Sequence, residues 1–228
     1  SGQLLTEDYY VANKLMKGFI GSGNMDTNSR LCMASAEVGY KRAFGADAVP
    51  CSYEDLELAE CVILTGSNTA WAHPVVYQRL MRAKQARPEM RIIIIDPRIT
   101  ATCDLADLHL PLRPGSDAAL FCGALHFMAQ QGKLDQEFLN HYTTGAAQTL
   151  AAVGEWTPER TADYCQLPQA ALRAFYQMIA ASDTLVTLYS MGINQSTSGV
   201  DKCNAIINLH LATGKIGRAG CGPFSITG

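Results

Sequence analysis

The chain has 228 residues, 18 basic and 21 acidic side chains, and a formal net charge of −3. That balance excludes a strongly basic nucleic-acid binder and a charge-rich disordered chain, while no apolar run approaches the roughly 20 residues that a membrane helix needs. Charged residues make up only 17%, against about 25% in typical domains, so part of the surface is expected to be covered by something else.

In chain order, Thr6 followed by Glu7 and Asp8 predicts a helix start, with Thr6 as the cap and Val11, Leu15 and Phe19 on one face. A loop rich in Gly, Ser, Asn and Asp runs from Gly21 to Arg30, and a second helix is expected over Met33–Phe44. Ser52 with Asp55 reads as a capping box for a short helix ending near Glu60. Cys61 to Leu64 is a wholly apolar strand of the kind buried in a parallel sheet. A helix from Pro74 to Gln85 leads to a second such strand, Ile92 to Ile95, and Leu108 to Leu112 suggests a third. Ser116 is placed to cap a helix over Asp117–Gln130. From Leu134 to Ala181 the pattern is helical only, with Thr157-Pro158-Glu159 and Pro168 as helix starts. Leu185 to Leu188 returns to strand, and a long helix is expected over Gly199–Ala212. The segment from Gly217 to Gly222 reads as a flexible exit, and the final residues as loop with no strand. Alternating strands and helices imply an α/β fold with a doubly wound, mostly parallel sheet, Rossmann-like in style. The expected organisation is an α/β part over residues 1–133 and 182–228, with 134–181 as a helical insertion.

In such sheets ligands bind beyond the C-terminal strand ends. Three loops suit this: Gly66-Ser67-Asn68, Asp96-Pro97-Arg98-Ile99-Thr100, and Pro114-Gly115-Ser116-Asp117. Small residues let a phosphate approach the backbone, and an acid at a strand end can hold ribose hydroxyls or a purine edge. Each loop alone is also an ordinary turn, strand stop or cap. No G-x-x-x-x-G-K-[ST] or G-x-G-x-x-G motif is present, so standard ATP or NAD binding is not indicated. None of the eight cysteines forms a C-x-x-C pair. Cys61, Cys122 and Cys203 sit in apolar patterns and read as buried free thiols. Cys32 differs, because it stands where the Gly/Asn loop meets a helix start, beside Arg30. A thiolate there suits a nucleophile or a soft metal ligand, and a plain buried thiol is the alternative.

Asn28-Ser29-Arg30-Leu31-Cys32-Met33-Ala34-Ser35-Ala36, strand–Gly-Ser-Asn, strand–Asp-Pro-Arg, Pro-Gly-Ser-Asp and Met191-Gly192-Ile193-Asn194-Gln195 occur here in that order. This set resembles the molybdopterin oxidoreductases of the dimethyl sulfoxide reductase family, most closely their bacterial assimilatory nitrate reductase branch. The likeness runs over the whole chain. It implies molybdenum held between two molybdopterin guanine dinucleotides, with Cys32 as the protein ligand to the metal. It further implies cofactor contacts from Gln3, Asn28, Thr65 to Ala72 (with Gly66, Ser67 and Asn68), Asp96, Arg98, Thr100, Gly115, Ser116 and Asp117. Met191 and Gln195 would line the site near the metal; Arg30 could attract the anion, and a plain surface role is its alternative. The implied reaction is nitrate to nitrite, in the cytoplasm, with an electron-donor protein or domain as partner. A four-iron, four-sulfur cluster would lie elsewhere in a longer parent chain, whose remaining domains would cover this piece. Neither nucleic acid nor membrane is expected as a partner. The other readings are a formate dehydrogenase-like molybdoenzyme, which Met33 in place of histidine disfavours, and a non-catalytic nucleotide-binding α/β module.

Overall fold

A computed structural model describes residues 4–26 and 32–226. The chain opens with α1 (Thr6–Asn13), continued by a π-helical stretch (Lys14–Ile20) that ends at Gly21. Next come α2 (Ala34–Phe44), α3 (Tyr53–Leu58), β1 (Cys61–Thr65), α4 (Thr69–Ala72), α5 (Pro74–Ala86) and β2 (Arg91–Ile95). A 3-10 turn (Ala101–Leu105) leads to β3 (Leu108–Leu110) and α6 (Asp117–Gln130). Four helices follow: α7 (Gln136–Tyr142), α8 (Ala146–Val153), α9 (Pro158–Cys165) and α10 (Gln169–Ala181). The chain then runs through β4 (Leu185–Tyr189), α11 (Met191–Asn194), α12 (Gly199–Ala212) and β5 (Gly222–Ser225).

The five strands form one all-parallel sheet in the order β3-β2-β1-β4-β5. Cys61 stands opposite both Arg91 and Leu185, so β1 is central and β2 and β4 flank it in step. The strand order reverses at β1 and β4, which makes the gap beyond their C-terminal ends the topological switch point. Alternate side chains feed two cores. Ile63, Ile93, Ile95, Leu185 and Tyr189 pack with residues of α2, α6, α10 and α12. Val62, Leu64, Ile92, Ile94, Val186 and Leu188 face the opposite way, with Leu56 of α3 and Val76 and Leu80 of α5. Helices on both faces explain why the strands are continuously apolar rather than alternating.

The structure corrects several local expectations. The segment expected to be a loop at the end contains β5, paired in parallel with β4 from Val186 opposite Gly222 to Tyr189 opposite Ser225. Pro223 can occupy it because an edge strand tolerates a missing N–H. Thr6 is the first helical residue and not the cap; Leu5 holds that position, and its N–H donates to the Asp8 carboxylate at 3.2 Å. Val11, Leu15 and Phe19 are all exposed, so their shared face is uncovered in this chain. Ser116 is at the cap position of α6, but its hydroxyl donates to the Arg113 carbonyl at 2.6 Å instead of accepting from the helix. Cys61 and Cys203 are buried, whereas Cys122 is only half-buried. No helix among the described residues is long and apolar enough to cross a membrane.

Candidate functional site

The switch point is built from backbone. Gly66, the first residue after β1, has φ +57, a conformation that glycine adopts without strain. Its N–H donates to the Ile95 carbonyl at 3.0 Å, and its carbonyl accepts from the Gly192 N–H at 2.9 Å. A Cβ on Gly66 would meet the Gly192 Cα at 2.8 Å, so the loops after β1 and β4 touch only because both residues are glycine. Around this seam lies a cleft of about 370 Å³ lined by Gly66, Ser67, Asn68, Asp96, Pro97, Arg98, Pro114, Gly115, Asp117, Met191 and Gly192, among others. All three sequence-selected loops therefore converge on one edge of one sheet, and the Met191 segment joins them.

Each loop is fixed by its own hydrogen bonds. Ser67 and Thr69 share one at 2.9 Å. Asn68 Oδ1 accepts from the Thr102 hydroxyl at 3.1 Å, and the Thr102 oxygen in turn accepts from the Ala70 N–H at 3.1 Å, tying the loop after β1 to the 3-10 turn. The Asp96 carboxylate accepts from the Arg98 N–H at 2.8 Å, while the Arg98 side chain is 73% exposed and 3.8 Å from it. Gly115 has φ +88 and open space beside it. The Gly115 loop is held from α9, since the Arg113 N–H donates to the Cys165 carbonyl at 2.8 Å and the Arg113 guanidinium lies 4.3 Å over the Tyr164 ring.

Several selected residues stand back from the cleft lining, Cys32, Thr65, Thr100, Ser116 and Gln195 among them. Thr100 accepts from the Thr102 N–H at 3.3 Å and so stabilises the 3-10 turn. Ser116 is turned to Arg113. Thr65 is fully buried at the end of β1, and its hydroxyl has no hydrogen-bond partner among the described residues. An orphaned buried hydroxyl is uncommon. Gln195 is exposed, and its amide approaches the Met191 sulfur at 3.6 Å.

Cys32 is half-buried in a turn before α2, so it precedes the helix by one residue more than expected. Its carbonyl accepts from Asn194 Nδ2 at 3.0 Å, and the Asn194 carbonyl in turn accepts from the Ser35 hydroxyl at 2.7 Å. Asn194, buried at the end of α11, thus links Cys32 to the segment that carries Met191. Gln3, Asn28 and Arg30 lie outside the described residues. Among the described residues no group of three His, Cys, Asp or Glu side chains could hold a metal unaided.

Sequence reasoning missed Asn194, although it lies inside the Met191–Gln195 motif, and it missed Lys202. A signal existed for Lys202: it falls on the apolar stripe of α12, in line with Ile206 and Leu209. There it pairs with Asp117 at 2.7 Å, both side chains being almost fully buried.

The family model for molybdopterin oxidoreductases matches residues 1–227. The chain belongs to that family. It is 60% identical over 228 residues to a nitrate reductase of Klebsiella oxytoca, covering 100% of this chain and 26% of that protein. It is 44% identical to a nitrate reductase of Synechocystis, covering 100% of this chain and 32% of the relative. A periplasmic nitrate reductase of Desulfovibrio desulfuricans is 41% identical, with 100% of this chain and 31% of the relative covered. The chain thus spans about a quarter to a third of the length of these relatives. Among solved structures, acetylene hydratase from Pelobacter acetylenicus matches with a TM-score of 0.73 at 23% identity, over 86% of this chain and 26% of that one. That likeness supports the shared fold.

The described residues fit a nucleotide-bearing pterin. The glycine seam lets a ligand approach backbone, Asp96 and Asp117 offer acceptors for hydroxyl or N–H groups, and α6 starts at Asp117 in the same cleft with no side-chain cap, where the first helical N–H groups have no intrahelical partner.

Proposed function

We propose that this chain is the central part of a molybdenum-dependent nitrate reductase that forms nitrite at a centre carrying two molybdopterin guanine dinucleotides. The observation that carries the reading is the joining of the Cys32 turn, through Asn194, to the switch-point edge where the dinucleotide-type loops converge. The cofactor, when bound, supplies the two-electron chemistry that converts nitrate and two protons to nitrite and water. The chain's own residues bind and orient. The Cys32 sulfur is the protein ligand to the metal, and Asn194 fixes the backbone that carries it. Gly66, Ser67 and Asn68 cradle the nucleotide end of one pterin, with Asp96, Arg98, Gly115 and Asp117 as further contacts. Thr65, Thr100 and Ser116 support those loops from behind. Met191 and Gln195 line the approach to the metal, and Gln3 and Asn28 complete the contacts. A four-iron, four-sulfur cluster, an electron donor and the remaining domains belong to the parent protein, which we place in the cytoplasm. Residues 1–133 and 182–228 form the α/β cofactor-binding part of this reading, and 134–181 its helical insertion.

A second reading has a specific basis. An F420-dependent formate dehydrogenase subunit of Methanocaldococcus jannaschii is 32% identical over 228 residues. Purified parent protein separates the two. Nitrite formation with a reduced dye, in proportion to bound molybdenum, supports the first. Formate oxidation without nitrate reduction supports the second, and a parent free of molybdenum overturns both.

A further inference from the structure

The cleft takes two carboxylates from different elements, Asp96 after β2 and Asp117 at the start of α6. An anionic dinucleotide would be repelled by both unless each is compensated. Asp96 has the exposed Arg98 beside it. Asp117 has Lys202, reached from α12, at 2.7 Å, with 3% of the lysine side chain and 9% of the aspartate side chain exposed. Lys202 is not in the cleft lining, so it stands behind Asp117 rather than beside a ligand. The other buried lysine, Lys215, is used differently: its ammonium donates to the carbonyls of Ile179 and Ser182. For Lys202 no acceptor besides the Asp117 carboxylate is found among the described residues. A buried ion pair is a weak source of stability compared with well-packed apolar residues. Its placement at the cleft therefore calls for a reason other than packing.

We propose that Lys202 is a positioning residue: it holds the Asp117 carboxylate toward the cleft as the hydrogen-bond acceptor for a dinucleotide lying against the start of α6. This rests on the nucleotide-bearing cofactor assigned above and adds a residue and a role to it. The ligand groups that suit such a carboxylate are N–H or O–H donors on a base or sugar, next to phosphates that the helix start receives.

The test uses full-length parent protein and counts guanine nucleotide released per chain by acid hydrolysis. Lys202→Met should lower that count at least about tenfold. It should also lower the melting temperature, because Asp117 is left buried and unpaired. A combined Asp117→Asn, Lys202→Met variant removes both charges. Its melting temperature should return to that of cofactor-free wild-type parent, while the nucleotide count stays low. Recovery of both quantities in the double variant would show a purely structural pair and overturn the proposal, as would a normal count in Lys202→Met. Wild-type parent that releases no guanine nucleotide would overturn the cofactor assignment itself. A loaded wild type with a loaded Lys202→Met overturns only the role of Lys202.

Discussion

The two ends of the sheet are built on opposite plans. At the N-terminal end the protein satisfies itself. Asp107, just before β3, takes Lys84 at 2.7 Å, Arg91 at 3.4 Å and the Ile92 N–H at 2.7 Å. The Arg87 guanidinium donates to the carbonyls of Glu57, Leu58 and Ala59, and Glu60 accepts from the Asp183 N–H at 2.7 Å. At the C-terminal end the groups are glycine backbone, a buried hydroxyl with no partner among the described residues, and carboxylates facing a cleft. The first end is closed by its own side chains, and the second borders the cleft. Asp107 and Arg87 at the first end each meet at least three partners, whereas Asp96 and Asp117 at the second meet one cation each, Arg98 and Lys202, and still line the cleft.

The largest effect expected at the open end is on chemistry and not on folding. In the parent enzyme, Cys32→Ser should reduce nitrate reduction by at least about 100-fold, since a thiolate is a soft, strongly donating ligand and an alkoxide is hard and far more basic. Its melting temperature should barely change, because the site is half-buried. Cys61→Ser is the contrasting case in the body of the sheet. There burial pushes the thiol up to about 12 despite a hydrogen bond with Ser182, and a more strongly hydrated hydroxyl buried in its place should destabilise by about 1–3 kcal/mol. Near-normal turnover in Cys32→Ser, or an unchanged denaturation midpoint in Cys61→Ser, breaks the contrast.

Gly66→Ala probes the seam itself. The new methyl would enter a left-handed conformation and press on the Gly192 backbone, 2.8 Å away. Strain and overpacking together should destabilise by about 3 kcal/mol. Urea titration of the parent, read as a shifted midpoint at constant slope, is the measurement. A loss below about 0.5 kcal/mol would mean that the two loops yield easily and the seam is not rigid.

His210 lies between the two ends, beneath β4, and responds to acid. The Lys215 carbonyl, 2.8 Å from Nδ1, can only accept, so Nδ1 carries the hydrogen and Nε2 accepts from the Thr187 hydroxyl at 2.8 Å. Burial lowers its pKa to about 4 from an ordinary 6.5. Above pH 6.5 the folded and unfolded chains both hold it neutral, and nothing is lost. Between 6.5 and 4 only the unfolded chain takes the proton, so stability falls with pH across that window, by about 3 kcal/mol in all. His210→Gln should flatten the decline in a stability-against-pH series. An unchanged slope would show that other groups carry it.

These contrasts were only partly visible in the sequence. The helices Asp117–Gln130 and Gly199–Ala212 and the strands at Cys61 and Ile92 could be read because period, turn residues and apolar runs agreed there. β5 could not, because Gly222-Pro223-Phe224-Ser225 has little intrinsic strand preference and becomes a strand only by pairing with β4. The strand-end loops of the candidate site were legible from their glycines and acids. What holds them was not: Asn194 reaches Cys32 across 162 positions, and Lys202 meets Asp117 through the packing of α12 on α6. The exposed Val11, Leu15 and Phe19 show the converse: their spacing was legible in the sequence, but nothing among the described residues covers them.

The smallest effect belongs to the closed end. Burial alone would raise the Asp107 pKa, but the Lys84 ammonium, the Ile92 N–H and Arg91 outweigh it, and the net shift is downward from 3.8. A carboxylate whose folded pKa is depressed contributes stability above its unfolded value, and that contribution is lost as pH falls below 3.8 toward the folded value. Asp107→Asn should therefore destabilise at neutral pH by about 1 kcal/mol, since two cations and an N–H lose their shared acceptor charge at a site still partly reached by water. At pH below 3.8 the variant and the wild type should converge, because the wild-type carboxyl is then losing its charge as well. Cofactor content of the parent should not move, as Asp107 stands at the far end of the sheet from the cleft. A drop in bound pterin caused by Asp107→Asn alone would show that the two ends are coupled, and the division of labour between them would fail.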